Sequence, residues 1–138
     1  MEKLYEEVIV PYEVKQEMLS KEKFADDARI FAENNWLKKP GKPVDLNSFL
    51  SNSLDKGEAA VIQLAIDNNI NTVCIDETAG RRIARLNNLK VTGSLGIIIS
   101  AIKSGEEIDI VRVIDNMKNN GVWIGKELAS KAIRLIDE

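Results

Sequence analysis

Short apolar strands alternate with helical segments along most of this chain, and this alternation limits the possible folds more than any other feature. The predicted strands cover residues 8–10, 72–75 and 89–92, and the predicted helices cover residues 12–18, 57–67, 79–86 and 94–103. Such an alternation favours a mostly parallel sheet with helices on both faces. The sequence therefore predicts an α/β protein with three layers, α/β/α.

The remaining segments are predicted to be helices and their connections. Residues 24–34 have apolar side chains at helical spacing, residues 38–43 form a loop, and two C-terminal helices at 108–118 and 126–136 flank a short apolar run at 122–124. A length of 138 residues corresponds to about one ordinary domain. We expect a single domain over residues 1–138, with a core at 1–104 and a C-terminal helical extension at 105–138.

Composition excludes several kinds of chemistry. The chain has no histidine, which excludes Ser/His and Cys/His nucleophile systems and most zinc sites. Its net charge of −3 argues against tight non-specific binding to nucleic acid, but it is compatible with a nucleic-acid site bridged by a metal ion. Any chemistry on this chain is therefore expected to rest on carboxylates.

Cysteine content and hydropathy indicate the cellular compartment of the protein. Cys74 is the single cysteine and lies in the apolar run at 72–75, so we expect a buried thiol and no internal disulfide. No apolar run approaches the roughly 20 residues that cross a bilayer, and the acidic first residues lack the features of a signal peptide. We expect a cytoplasmic protein that does not bind membranes.

Two acids stand directly after a predicted strand. Asp76 and Glu77 follow the apolar run that ends at Ile75. In parallel α/β sheets, ligands bind beyond the carboxyl ends of the strands, and adjacent carboxylates there can hold Mg²⁺ or Mn²⁺. The alternative is that Asp76 or Thr78 caps the helix that begins near Ala79.

Glu58 is a third candidate acid, at the start of the predicted core helix. An acid at this place can point across the strand ends toward Asp76. The alternative is a capping box, because Asp55 precedes Glu58 by three residues, and at this spacing the two side chains satisfy each other's backbone amides.

Hydroxyl and guanidinium groups are candidates for binding a phosphate. Thr92 and Ser94 flank a glycine where a strand gives way to a helix, and a helix N-terminus can receive a phosphate oxygen. The alternative for Ser94 is a simple N-cap. Arg81 and Arg82 follow the strand-end acids and can neutralise a phosphodiester, although three arginines on one helix also suit a solvated face.

Three motifs occur in order along the chain. They are Leu54-Asp55-Lys56-Gly57-Glu58-Ala59, then Cys74-Ile75-Asp76-Glu77 with Gly80-Arg81-Arg82-Ile83-Ala84, then Val91-Thr92-Gly93-Ser94-Leu95-Gly96. Together they resemble a prokaryotic branch of the PIN-like proteins related to VapC ribonucleases. The flanking segments at residues 7–11 and 119–128 agree, so the resemblance covers nearly the whole chain.

The resemblance implies a fold and an activity. PIN-domain proteins are typically metal-dependent ribonucleases, in which clustered acids hold Mg²⁺ or Mn²⁺ and a metal-activated water attacks the phosphodiester. Carried over to this sequence, Glu58 and Asp76 match the catalytic metal ligands and Glu77 a neighbouring ligand. Thr92 and Ser94 resemble the supporting hydroxyl positions. The implied partners are RNA and, for a toxin of a toxin–antitoxin pair, an antitoxin protein.

The chain departs from the family pattern at its N-terminus. Family members begin with a strand ending in an aspartate, whereas this chain starts at Met1 just before what resembles the second strand. We therefore expect an N-terminally truncated PIN-like fold without the first metal ligand, which self-associates through a sheet edge or a swapped element. The rival function is a non-catalytic PIN-like scaffold that binds nucleic acid or a protein. A small phosphometabolite-binding domain is a third reading.

Overall fold

The computed structural model describes residues 7–20, 29, 31–119 and 126–137. In chain order, its helices and strands are α1 (Tyr12–Ser20), α2 (Ser48–Ser53), α3 (Lys56–Asp67), β1 (Thr72–Cys74), α4 (Thr78–Leu86), β2 (Lys90–Thr92), α5 (Ser94–Lys103), α6 (Ile110–Asn119) and α7 (Lys126–Asp137). Residues 31–33 are also helical. The alternation predicted between residues 57 and 103 is present element by element.

The strands β1 and β2 form a small parallel sheet. Val73 lies opposite Val91, and the pairing continues to Ile75, whose N–H donates to the Thr92 carbonyl at 2.9 Å. Parallel strands need a crossover connection, which α4 supplies here. The predicted α/β class and the parallel strand pairing are confirmed.

The strand predicted at residues 8–10 is reduced to a single bridge. Ile9 pairs in parallel with Lys38. The Val10 N–H donates to the Lys38 carbonyl at 2.9 Å, and the Lys38 N–H donates to the Val8 carbonyl at 3.0 Å. Lys38, which the sequence placed in a loop, therefore takes part in this pairing.

The chain divides between Thr92 and Gly93 into an N-terminal unit, which contains α1 to β2, and a C-terminal unit, which contains α5 to α7. In the N-terminal unit α3 is central, because α1, α2, β1 and α4 all contact it. A helix that is apolar on most sides is stable only when other elements surround it. The buried core of this unit consists of Leu50, Ala59, Ile62, Ala65, Val73, Ile75 and Ala84.

The helices α3 and α4 end in the same way, and each end leads into a strand. Asn69 and Asn88 adopt left-handed backbone conformations, with φ values of 55° and 63°. The N–H of the next residue donates back to a helical carbonyl, at 2.9 Å after α3 and 3.1 Å after α4. This is the Schellman pattern, and asparagine is one of the few residues besides glycine that visits this conformation routinely.

Burial alternates along β1, and this corrects one prediction. Val73 and Ile75 are buried, whereas Thr72 and Cys74 are exposed. Successive side chains of a strand point to opposite faces, so an apolar run need not be buried throughout. The expectation that Cys74 is a buried thiol is wrong.

The C-terminal unit is helical in its described part. The helix α7 contacts both α5 and α6, and the buried residues between them are Leu95, Ile110, Ile114 and Ala132. Neither α5 nor any other described helix has the length and apolar character needed to cross a membrane. The run predicted at residues 122–124 and most of the helix predicted at 24–34 lie outside the described residues, and the single-domain organisation stays a prediction.

Candidate functional site

Asp76 and Glu77 lie between the end of β1 and the start of α4. The pairing with β2 reaches Ile75, which is buried, and the two acids that follow are exposed. Glu77 is the N-cap residue of α4, and its side chain makes no capping hydrogen bond. The N-cap position is therefore held by neither Asp76 nor Thr78, the two residues proposed from the sequence.

Glu58 lies in the first turn of α3. Asp55 is the N-cap of this helix, and its carboxylate accepts a hydrogen bond from the Glu58 N–H at 2.9 Å. This is one half of the predicted capping box. Among the described residues, no N–H donates to the Glu58 carboxylate, so the other half of the capping box does not form.

The Glu58 carboxylate lies against the first turn of α4. A Cβ atom at Gly80 would stand 3.1 Å from Glu58 Oε2 and 3.3 Å from Glu58 Cδ. Since α4 begins directly after Glu77, this contact brings a carboxylate from α3 close to the residues that follow β1. Two distant segments of the sequence thus contribute acids to one place.

Glu58 ionises less readily than an ordinary glutamic acid. Burial, followed by the negative charges of Asp55, Glu77 and Glu17, raises the pKa of its carboxyl group from 4.5 to about 7. Neighbouring carboxylates disfavour a further negative charge, whereas a bound cation would favour it. We call Glu17, Asp55, Glu58 and Glu77 the acidic group. Of the two strand-end acids, Glu77 acts on Glu58, and the pairing of Glu58 with Asp76 stays a prediction.

Sequence reasoning missed Glu17, which comes from α1. This helix contacts α3, and a Cβ atom at Gly57 would stand 3.2 Å from both carboxylate oxygens of Glu17. The available signal was weak: Glu13 and Glu17 are four residues apart and share one face of α1. Glu13 accepts a hydrogen bond from the Val44 N–H at 2.7 Å. Tertiary packing, not local pattern, brings Glu17 to the acidic group.

The acidic group provides oxygen donors without forming a closed cage. In the described parts of the chain, no three His, Cys, Asp or Glu side chains converge closely enough to hold a metal ion. Carboxylate oxygens are nevertheless the donors that Mg²⁺ and Mn²⁺ prefer. Mg²⁺ keeps several waters and is usually bound by one or two carboxylates together with substrate phosphates. The residues present therefore fit such a cation in donor type, with water and substrate completing its coordination.

The arginines of α4 differ in their surroundings. Arg81 is half-buried, and its Nη1 donates to the Ile75 carbonyl at 3.0 Å. This bond ties α4 to the end of β1 and uses one donor of the guanidinium group. Arg82 and Arg85 are exposed. Arg82 is therefore more accessible to a phosphate than Arg81.

Thr92 and Ser94 belong to different units. Thr92 is the last residue of β2, and its carbonyl accepts the Ile75 N–H. Ser94 is the first residue of α5, and Gly93 is the N-cap, without a side-chain capping bond. The alternative role of Ser94 as the N-cap is therefore wrong, and the phosphate-binding role of both hydroxyls stays a prediction.

Comparison with known proteins supplies the family. A family model described as a PIN domain matches residues 1–138. No curated protein and no solved structure matches the chain significantly. The match spans the start of α3, the residues after β1 and the start of α5, which are the places where the sequence motifs resemble PIN-like proteins. The chain belongs to the PIN domain family, whose fold is nuclease-like.

Proposed function

We propose that this protein is a Mg²⁺- or Mn²⁺-dependent ribonuclease, in which Glu58 and Asp76 hold the cation and Glu77 is a neighbouring ligand. The observation that carries the proposal is the state of the Glu58 carboxylate. It is partly buried and repelled by the negative charges of three other acids, and no hydrogen-bond donor or cation among the described residues contacts it. A divalent cation is the ligand that would relieve this repulsion most directly.

Each residue has a distinct role in this proposal. A cation held by these acids would lower the pKa of a water, so that hydroxide is available as the nucleophile, and would polarise a phosphoryl oxygen. Glu58 and Asp76 fix the place where the phosphodiester is held, and exposed Arg82 attracts the RNA backbone. Arg81 keeps α4 against β1 and has guanidinium donors left for a phosphate. Thr92 donates its hydroxyl to a phosphate oxygen, and Ser94 is a separate phosphate-binding candidate at the start of α5.

The test is Mn²⁺ binding measured by calorimetry on the wild type and on Asp76→Asn. Removing one ligand carboxylate while keeping its shape should weaken binding at least tenfold. The matched control is Asp45→Asn, because Asp45 is an exposed acid of the loop before α2, and it should bind Mn²⁺ like the wild type. Equal binding by all three proteins would contradict the role of Asp76.

Cleavage of RNA is the second part of the test. The wild type should cut a mixed-sequence RNA in Mg²⁺ and lose this activity in EDTA, and Glu58→Gln should abolish cutting. Metal binding without cleavage would contradict the proposed ribonuclease activity and would show that the protein only binds metal. A toxin role adds the prediction that an antitoxin protein binds this chain and inhibits cleavage.

A second candidate is a non-catalytic PIN-like scaffold that binds nucleic acid or a protein. One observation favours it: the described residues contain no group of three metal-ligating side chains. This candidate predicts RNA binding in EDTA that is unchanged by Asp76→Asn. The ribonuclease predicts binding that is strengthened by a divalent cation.

Self-association also belongs to the proposal. The described sheet consists of two strands, and small sheets gain stability when further strands pair with them. We expect a dimer or larger assembly. Light scattering across a range of concentrations measures it, and a strictly monomeric mass would contradict this part of the proposal.

A further inference from the structure

Gly80 is the point where the Glu58 carboxylate meets α4. A Cβ atom at this position would stand 2.9 Å from Ile75 Cγ2 and 3.1 Å from Glu58 Oε2. The first distance is shorter than ordinary carbon–carbon contact, and the second is tight. Any side chain at position 80 must therefore displace both of these neighbours or shift the helix itself.

The helix cannot easily move away. Its first turn is tied to β1 by the hydrogen bond from Arg81 to the Ile75 carbonyl, 3.0 Å long. One turn further along, Ala84 is fully buried in the core of the N-terminal unit. Both anchors hold α4 at the distance that suits a glycine.

Ile75 cannot easily move either. Its side chain is 5% exposed and belongs to the same core, and its N–H is bonded to β2. Interiors are packed closely enough that a shift there carries a cost in stability. The Glu58 carboxylate ends a flexible side chain and has no hydrogen-bond donor among the described residues. It is the neighbour that moves most easily, while the 2.9 Å contact with Ile75 Cγ2 has to be relieved separately by a small shift of Ile75 or of α4.

We propose that Gly80 is a positioning residue for Glu58: without a Cβ atom at position 80, the Glu58 carboxylate can rest on α4 beside the end of β1. The consequence for cation binding rests on the proposed function. Gly80 has no side chain with which to bind a cation or a substrate. A substitution of Gly80 should therefore displace the Glu58 carboxylate, in addition to its effect on the packing of Ile75.

The first test needs no metal. In protein labelled with ¹³C at glutamate Cδ, the Glu58 resonance is assigned by its loss in Glu58→Gln. Gly80→Ala should shift this resonance. The matched control is Gly41→Ala, because a Cβ atom at Gly41 meets nothing within 4 Å, and it should leave the resonance in place. A Glu58 resonance equally unchanged in both variants would overturn the inference.

The second test is Mn²⁺ binding by calorimetry on the same variants. Gly80→Ala should weaken binding by about tenfold, as removal of supporting residues around metal sites does, and Gly41→Ala should not. Wild-type affinity in a folded Gly80→Ala would overturn the metal part of the inference. Absence of Mn²⁺ binding by the wild type would instead contradict the proposed function, and the NMR test would then decide the role of Gly80.

A third variant covers failure to fold. If Gly80→Ala does not fold, the double variant Gly80→Ala/Glu58→Ala shows which close neighbour of position 80, Glu58 or Ile75, causes the failure. Recovery of the fold would assign the clash to Glu58 and support the inference. Continued failure would assign the clash to Ile75 and overturn it.

Discussion

At the scale of single residues, Glu58 links the fold to the proposed chemistry. Its backbone N–H completes the cap of α3, while its carboxylate rests on α4 among three other acids. The observed half of the capping box uses the Glu58 backbone N–H as donor, and no hydrogen bond from the Asp55 N–H to the Glu58 carboxylate is seen in the described residues. The helix cap and the proposed ligand role therefore use different atoms of Glu58.

The raised pKa of Glu58 makes stability depend on pH. The folded protein holds a proton on Glu58 between pH 4.5 and about 7, where the unfolded chain has released it. The contribution of this proton to the free energy of unfolding is fully present below pH 4.5, and it is lost as the pH rises through about 7. Glu58→Gln cannot ionise, so in EDTA it should exceed the wild type in stability at pH 8.5 and match it at pH 4.

Urea unfolding at the two pH values measures this difference. We expect about 1–2 kcal/mol at pH 8.5, after allowance for solvent screening of a partly exposed group. The control Glu33→Gln removes an exposed acid elsewhere and should change stability by less than about 0.5 kcal/mol at both pH values. An equal effect of Glu58→Gln at both pH values would argue against a raised pKa of Glu58, whose causes are its burial and then the neighbouring acids.

Asp55 should act in two ways: its side-chain oxygen accepts the Glu58 N–H, and its charge raises the pKa of Glu58. Asp55→Ala removes the acceptor of the Glu58 N–H and should cost about 1 kcal/mol of unfolding free energy. Asp55→Asn keeps an acceptor and removes a charge that raises the pKa of Glu58. It should preserve stability and lower that pKa, as an NMR titration of Glu58 would measure. A loss of stability equal to that of Asp55→Ala would contradict the capping role.

At the scale of helices and strands, the sequence predicted the regular elements of the region from α3 to α5 within about two residues at each end. The signals there are strong, because apolar periodicity, paired asparagines and a glycine mark the boundaries. The helix α2 escaped prediction because it is six residues long and buries one side chain, Leu50. Its start depends on Asn47, whose side chain accepts the Leu50 N–H at 2.8 Å.

The left-handed end of α4 gives a prediction at this scale. Asn88 has φ of 63°, which is costly for a residue with a Cβ atom and no polar compensation. Asn88→Ala should lower the free energy of unfolding by about 1 kcal/mol, and Asn88→Gly should not lower it. Thermal or urea unfolding compares the three proteins. Equal loss in both variants would mean that the asparagine side chain, not the backbone conformation, is what stabilises this end.

At the scale of the whole molecule, the α/β class could be predicted from the alternation of strands and helices, and the family from the order of the motifs. The membership of the acidic group could not, because Glu17 reaches Glu58 only through the packing of α1 on α3. The exposure of the Cys74 side chain was not predicted from the sequence for a similar reason. The elements that pack on a short strand determine which of its faces is buried. An apolar run in the sequence does not show which face that is.

The central position of α3 gives a prediction for the N-terminal unit as a whole. Ile62 is fully buried, whereas Ile66, one turn later on the same helix, is 38% exposed. Ile62→Ala should cost about 2–5 kcal/mol of unfolding free energy through lost burial and a cavity. Ile66→Ala, the matched control, should cost less than half as much. Similar losses would contradict the placement of α3 in the core.

The most direct test of the central claim is paramagnetic broadening by Mn²⁺ in the ¹³Cδ-glutamate spectrum. A cation held by Glu58, with Glu77 beside it, should broaden these two carboxyl signals at a small fraction of one equivalent. The signal of Glu33, an exposed acid outside the acidic group, should stay sharp. Weak and uniform broadening of all glutamates would contradict a specific cation site and favour the non-catalytic scaffold.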